Sequence, residues 1–248
     1  MKTGLTLQRF GGVAAIVHGL AFIAGPVTLA LVVASLGLRP ADMTDPAKAL
    51  PAVLKSYTGF ATWGFMYVLV GATVLVMALA FDQRLREGAP SLTRAATSTG
   101  LIATALFVAA GVLDMSGLAE IALHYSANHD QAGAAYLAFQ AVTDGLLSAA
   151  SVAYGAWLVM AFWAAIRVKA FSRSLNYVGF IWGLLAMLAP FSSDLATFQV
   201  VGPIWAVWMG IVLLRSPVAA PAASSGALAG RANGRLPVAS DVPEATEA

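Results

Sequence analysis

Six long apolar segments, separated by short polar loops, dominate the pattern of hydrophobic and polar positions along the chain. A helix needs roughly 20 apolar residues to cross the hydrocarbon of a bilayer. The first four segments exceed that length, and the last two are shorter and flank a tight turn at Asp194. The segments are 10–38, 57–81, 95–123, 134–166, 175–191 and 198–214. This pattern predicts an all-α membrane protein, a bundle of six transmembrane helices.

The lysines and arginines are distributed unevenly over the loops between these segments. With the N-terminus placed in the cytoplasm, eleven of the 14 fall on the cytoplasmic side, and only Arg39, Lys48 and Lys55 fall outside. Cytoplasmic loops of membrane proteins are enriched in these residues. The distribution therefore predicts six spans with both termini in the cytoplasm.

The composition of the chain changes after Arg215. The last stretch, 216–248, consists mainly of small residues, prolines and scattered charges. Such a segment buries too little apolar surface to offset the entropy lost on ordering. We therefore divide the chain into a membrane domain, 1–215, and a disordered cytoplasmic tail, 216–248.

The first outer loop, 39–56, contains three prolines and a short amphipathic segment, PAKALPAVLKSY. Amphipathic helices commonly lie in the interface, and aromatic residues concentrate at the level of the lipid headgroups. The sequence thus predicts a helix on the outer membrane surface, with Tyr57, Phe60 and Trp63 as anchors.

Composition excludes several classes of protein. Hydrophobic residues make up 59% of the chain and charged residues 10%, whereas a soluble domain carries about 25% charged residues. The basic residues are spread over separate cytoplasmic segments, which argues against nucleic acid as a partner and leaves the lipid bilayer.

The absence of cysteine excludes disulfides and thiolate metal sites. The first apolar run is longer than the roughly 7–15 residues of a signal-peptide core, so we expect an uncleaved first span.

Two acidic residues, Asp114 and Asp144, lie inside the third and fourth apolar segments. Ionisable groups at membrane depth are costly and often functional. Counting about 20 residues outward from Thr97, and the same length back from Ile166, places both acids at the outer rim. The two helices should then project beyond the membrane. The acids are either a proton or cation relay leading toward His18, or polar contacts between helices.

His18 is the remaining ionisable residue deep inside a predicted span. A buried histidine can shuttle protons or ligate haem iron. Its alternative role is a neutral side chain that is hydrogen-bonded between two helices. Haem binding is disfavoured because the sequence has no second histidine at matching depth.

Glu120 and His124 are four residues apart, which places both side chains on one face of a helix. Carboxylate and imidazole groups suit a divalent metal such as zinc, iron or manganese. Asp144 is the candidate third ligand if the hairpin folds back, and His129 and Asp130 are further candidates. The alternative is an ordinary surface pair, because established metal motifs have three or more ligands. A divalent metal is the one cofactor the sequence suggests.

Two sets of small residues can let helix backbones approach closely. These are Gly179 and Gly183 in the fifth segment, and Gly145, Ala149 and Ala153 in the fourth. We interpret both sets as packing faces within the chain. The alternative is a contact in a homo-oligomer or a larger membrane complex.

The sequence lacks the phosphate-binding, dinucleotide-binding, HExxH and GxSxG motifs. The leading functional hypothesis is therefore a non-enzymatic module that handles a small solute or ion, or an accessory subunit. One alternative is a metal-dependent membrane enzyme that uses Glu120 and His124. Another is a structural partner that uses the Gly179 and Gly183 face.

Two stretches carry a resemblance to a known family. They are LQRFGGVAAIVHGLAFIAGPVTLAL in the first span and SRSLNYVGFIWGLLAML at the fifth. The chain resembles, over about residues 5 to 215, a bacterial family of six-span membrane proteins classed as a domain of unknown function. The resemblance implies a protein of the bacterial inner membrane. It implies no activity, cofactor or catalytic residue.

Overall fold

A computed structural model describes residues 7–191 and 201–215. Within these ranges the ordered elements are seven α-helices and two short 3₁₀ helices, Pro40–Thr44 and Ala189–Phe191, without any strand. The α-helices are α1 Leu7–Ser35, α2 Pro46–Lys55, α3 Tyr57–Leu85, α4 Pro90–Leu123, α5 His129–Val168, α6 Arg173–Leu188 and α7 Val201–Arg215. The predicted turn at Asp194 and the predicted tail, 216–248, lie outside the described residues.

Five segments are long and apolar enough to cross a membrane, judged by length and composition. They are α1, α3, α4, α5 and the segment Arg173–Phe191, whereas α7 is apolar but only 15 residues long. The prediction of an all-helical chain built on long apolar segments is confirmed. The helices α4 and α5 both begin five residues earlier than predicted. Pro90 occupies the first turn of α4, where proline is well tolerated, and Asn128 caps α5 by accepting a hydrogen bond from the Gln131 amide.

Helices that are neighbours in the bundle run antiparallel. α1 packs against α3 and α7, α3 against α4, α4 against α5, and α5 against α6. The direction of α1 against α3 follows from its glycines, because Gly11 lies against Ala80 and Gly25 against Met66. One end of the bundle, here called the basic end, consequently carries most of the cations: Arg9, Arg84, Arg86, Arg94, Arg167, Lys169, Arg173 and Arg215.

Three of these helix pairs cross at a pair of facing glycines. A Cβ atom on Gly111 of α4 would lie 2.5 Å from the Gly64 carbonyl oxygen of α3. The same arrangement joins α5 to α6 and α1 to α7, through Gly155 with Gly183 and Gly12 with Gly210. Small residues allow this close approach, which supplies packing where the lipid gives helices no hydrophobic drive to associate.

An aromatic cluster fills the bundle toward the basic end. The ring of Phe81 meets Trp157 and Phe162 edge-on, with centroids 5.8 and 5.5 Å apart. Trp205 of α7 meets Phe162 in the same way at 5.4 Å. Edge-to-face geometry suits the quadrupoles of the rings, so this cluster ties together α3, α5 and α7.

A second hydrophobic cluster lies at the opposite end of the bundle. Its fully or nearly fully buried members include Leu50 and Val53 of α2, Phe60 of α3, Ala122 of α4 and Tyr136 of α5. We call the 3₁₀ helix Pro40–Thr44, α2 and the ends of α4 and α5 that pack on them the outer cap, because they lie at the end of the bundle opposite the basic end. With 40 residues, α5 is about 60 Å long, roughly twice the hydrocarbon thickness of a bilayer.

The outer cap corrects the prediction of a surface helix anchored by aromatic residues. The apolar face of α2 is covered by protein, because Leu50 and Val53 have no exposed surface. Phe60 is 3% exposed and is therefore not a headgroup anchor. Tyr57 is half-exposed, and its hydroxyl donates to the Met115 carbonyl. The long ends of α4 and α5 offer an apolar surface that the amphipathic pattern alone does not reveal.

Polar contacts hold the loop of the cap in place. The Asp42 carboxylate accepts hydrogen bonds from Lys48 Nζ at 2.7 Å and from the Arg39 amide at 2.8 Å. The Lys48 ammonium, with the Arg39 amide and guanidinium, holds the pKa of Asp42 well below its usual range. The Tyr136 hydroxyl donates to the Met43 carbonyl and accepts from Gln140 Nε2 at 2.8 Å. These bonds tie the loop to α5.

Candidate functional site

A cavity of about 310 Å³ lies between α1, α3 and α5, near the outer cap. Ligand-binding pockets usually begin at about this size. Its walls are Ala21, Phe22, Gly25, Pro26, Trp63, Met66, Tyr67, Val70, Phe107, Asp144, Leu147, Ser148, Ser151, Ala189 and Pro190. The volume suits a small solute rather than a large cofactor.

Helical periodicity brings the lining residues of each helix to one face. The contributions of α3 and of α5 both follow the spacing i, i+3, i+4 and i+7, which marks one face of a helix. They are Trp63, Met66, Tyr67 and Val70 from α3, and Asp144, Leu147, Ser148 and Ser151 from α5. One wall is thus aromatic and the facing wall is acidic and hydroxylated.

The cavity combines aromatic rings with a single charge. Trp63 and Tyr67 meet edge-on with centroids 4.9 Å apart, and Phe22 and Phe107 contribute further rings. Among the lining residues that the structure describes, Asp144 is the only charged side chain. Aromatic faces and a carboxylate both attract positive charge, so the site is chemically suited to a small cation.

Asp114 does not line the cavity, but its carboxylate interacts electrostatically with Asp144, which does. Its side chain is within range of the charge on Asp144, and both carboxylates act on Tyr67. Asp114 is 8% exposed. Among residues 7–191 and 201–215 it makes no hydrogen bond or ion pair, whereas Asp144 is exposed. The two predicted acids are therefore neighbours, one buried and one on the cavity wall.

His18 lies beneath the cavity without lining it. Its Nδ1 is 3.0 Å from the Thr73 hydroxyl, and that hydroxyl donates its proton to the Val70 carbonyl at 2.7 Å. The Thr73 oxygen must then accept from His18, which places the imidazole proton on Nδ1. The histidine thus links α1 to α3 by a buried hydrogen bond.

Aromatic rings separate His18 from the two acids. His18 stacks on Tyr154 and lies 5.5 Å from the Phe22 ring, centroid to centroid. Tyr154 in turn meets Phe107 edge-on, and Phe22 and Phe107 both line the cavity. Of the three residues predicted to form a relay, the structure places Asp114 and Asp144 together and His18 apart from them.

Glu120 and His124 form a pair on the surface of the outer cap. The two side chains approach to 3.6 Å, and they are 72% and 73% exposed respectively. No group of three or more His, Cys, Asp or Glu residues that could hold a metal occurs in the part of the chain that the structure describes. Asp144 lines the cavity instead of joining this pair, so the three predicted metal ligands are not brought together.

The small residues predicted for helix packing have different surroundings. A Cβ on Gly183 would meet the Gly155 carbonyl at 2.9 Å, and one on Gly179 would meet the Phe162 ring at 2.6 Å. This face of α6 is covered by α5. On α5 itself, Ala153 packs at the edge of the core, whereas Ala149 is exposed and Gly145 faces open space. The close contact on α5 is made instead at Gly155, two residues beyond Ala153 and on a different face of the helix.

Sequence reasoning missed the cavity, although one signal for it exists. Asp144, Ser148 and Ser151 are polar residues on one face of an apolar segment, and a polar stripe inside a span marks a face turned toward protein or water. The aromatic wall gave no such signal, because Trp63 and Tyr67 suit lipid contact and cavity lining equally well.

One family comparison is positive. A family model described as a domain of unknown function, DUF4386, matches residues 15–216, which include every residue that lines the cavity. No curated protein and no solved structure matches the chain. Since the match covers more than half of the 248 residues, the chain belongs to the DUF4386 family.

Proposed function

We propose that this protein spans the cytoplasmic membrane of a bacterium six times, with both termini inside, and binds a small organic cation in its outer half. The proposal makes it a solute-handling module. The observation that carries it is the aromatic cavity with Asp144 on its wall.

The orientation rests on the distribution of charge. The basic end carries all but three of the described lysines and arginines, and those three, Arg39, Lys48 and Lys55, lie in or beside the outer cap. Positive residues favour the cytoplasmic side, which puts the cavity toward the outer side. Reporter fusions should give a cytoplasmic signal after Arg173 and an external signal after Thr44; the reverse pattern would contradict the orientation.

The choice of a cation rests on the chemistry of the walls. A cation over the face of a tryptophan or tyrosine gains about 0.5–2 kcal/mol, with the larger values at desolvated sites. Trp63 and Tyr67 supply such faces, and Asp144 supplies the opposite charge. An anion would be repelled by Asp144 and would find no cation among the described lining residues.

Titration calorimetry on the full chain in lipid nanodiscs tests this function. The probe is choline, whose charge does not change with pH, and the comparison is its neutral isostere 3,3-dimethylbutan-1-ol. We expect choline to bind more tightly by about tenfold, which corresponds to roughly 1.4 kcal/mol of cation attraction. The substitution Asp144→Asn should remove that preference.

Asp130→Asn is the matched control, because Asp130 is an exposed acid on the same helix and outside the cavity. It should leave choline binding unchanged. Equal affinity for the two probes, or the same loss in both variants, would show that the cavity does not select cations.

A further inference from the structure

Asp114 is a buried residue, and its carboxyl group has no hydrogen-bond or ion-pair partner among the described residues. It is 8% exposed, and its Cβ lies against Gly64, where the backbones of α3 and α4 approach closely. Across residues 7–191 and 201–215, no donor or cation is bonded to it. An isolated buried carboxylate is strongly disfavoured unless its charge is neutralised.

The second acid makes the need for neutralisation greater. Asp114 and Asp144 are close enough for their charges to repel. The repulsion between two like charges, one on a buried and one on an exposed side chain, is relieved by binding one positive charge. That charge can be a proton on one carboxyl group or a cation held at the cavity wall.

We propose that Asp114 and Asp144 form a single exchange site, at which an organic cation in the cavity displaces one proton. The cation enters against Asp144 and the aromatic wall, while the proton leaves the carboxyl pair for the external solution. Charge is conserved at the site in both states. This inference rests on the proposed function, since it assigns the ion against which the cation is exchanged.

Among residues 7–191 and 201–215, few titratable groups interact with the pair. The charges of both carboxylates act on Tyr67 of α3 and on Tyr136 of α5. α1 and the 3₁₀ helix Ala189–Phe191 contribute only apolar residues to the cavity. His18 is hydrogen-bonded to Thr73 beneath the aromatic floor. Within the part of the chain that the structure describes, the carboxyl pair is thus the charged group next to the bound cation.

The first test is the pH dependence of choline affinity in nanodiscs from about pH 5 to about pH 8. Over this range the affinity should weaken by up to about tenfold for each unit of acidification, because one proton competes with one cation. Asp114→Asn should flatten this dependence while choline still binds at neutral pH. Asp130→Asn should keep the wild-type slope.

The second test needs no ligand. Infrared difference spectroscopy of the choline-free protein at neutral pH should show the C=O stretch of a protonated carboxyl group, which Asp114→Asn removes and Asp130→Asn retains. Adding choline should remove the same band from the wild type.

The outcomes of these tests separate the two proposals. Choline binding that is independent of pH, or that keeps its slope in Asp114→Asn, overturns the exchange and leaves cation binding standing. Absence of choline binding at every pH contradicts the proposed function. A missing carboxyl band in the ligand-free protein overturns the exchange whether or not choline binds.

Discussion

The bundle and the outer cap are held together by different physical means. Helices of the bundle meet at facing glycines, such as Gly155 with Gly183, where two backbones come close. The cap instead buries the apolar face of a short amphipathic helix, with Leu50 and Val53 at its centre. Lipid removes the hydrophobic drive between spans, so close packing replaces it. In the cap, burial of apolar area contributes most of the stabilisation.

The largest effect should come from the centre of the cap. Leu50→Ala removes a fully buried side chain and should destabilise the cap by about 2–5 kcal/mol. Hydrogen exchange of the amides in α2 measures this directly, because loss of packing opens the helix locally.

Leu54→Ala provides the matched control on the same helix, since Leu54 is 47% exposed. Its effect should stay within about 0.5 kcal/mol. Similar exchange in the two variants would mean that α2 does not bury the face that carries Leu50.

The next effect concerns the glycine crossings. In Gly155→Ala, the new Cβ would lie 2.4 Å from the Gly183 carbonyl oxygen, and the strain should destabilise the bundle by about 1–3 kcal/mol. Reversible unfolding in detergent, followed by circular dichroism, measures the change.

Gly145→Ala is the comparison, because a Cβ at that position meets nothing within 4 Å. It should raise stability by about 0.5–1 kcal/mol, the gain in helix propensity of alanine over glycine. A loss of stability at position 145 as large as that at 155 would remove the basis for contrasting the two glycines.

The smallest effect is the pH dependence of the cap. The pKa of Asp42 is held well below its usual range, first by Lys48 and then by Arg39. The stabilisation is therefore complete above the unfolded value, about 3.9, and is lost as the pH falls from there toward the folded value. Hydrogen exchange of the amides in α2 should become faster below about pH 4 than the intrinsic pH dependence of amide exchange accounts for.

Asp42→Asn should abolish this acid-dependent part, while Asp130→Asn should leave it intact. The change is small, because Lys48 is half-exposed and exposed ion pairs contribute little. An identical acid response in Asp42→Asn and the wild type would show that the ion pair does not stabilise the loop.

Prediction from sequence was strongest where one physical rule decides the outcome. Apolar length defined five helices of crossing length, and the early starts of α4 and α5 follow from Pro90 and Asn128, which local capping rules can explain. Rules of apolar length and helix capping could not predict that the outer cap forms. The pattern of α2 shows that one face is apolar, but not that α4 and α5 are long enough to cover it.

The candidate site divides in the same way. Asp114 and Asp144 stand out because charge inside an apolar run is costly, and the structure brings them together. Trp63 and Phe22 do not stand out, because the energy of an apolar side chain against lipid resembles that against another helix. Which aromatic residues enclose a cavity therefore depends on tertiary packing.

The continuity of α5 has a mechanical consequence. This one helix carries the Tyr136 tie to the cap, the Asp144 wall and the Gly155 crossing. If the crossing acts as a pivot, a tilt of about 5° moves Tyr136 by roughly 2.5 Å and Asp144 by roughly 1.4 Å, at 1.5 Å of rise per residue. A displacement of the Pro40–Thr44 loop would therefore be transmitted along α5 to the Asp144 wall of the cavity.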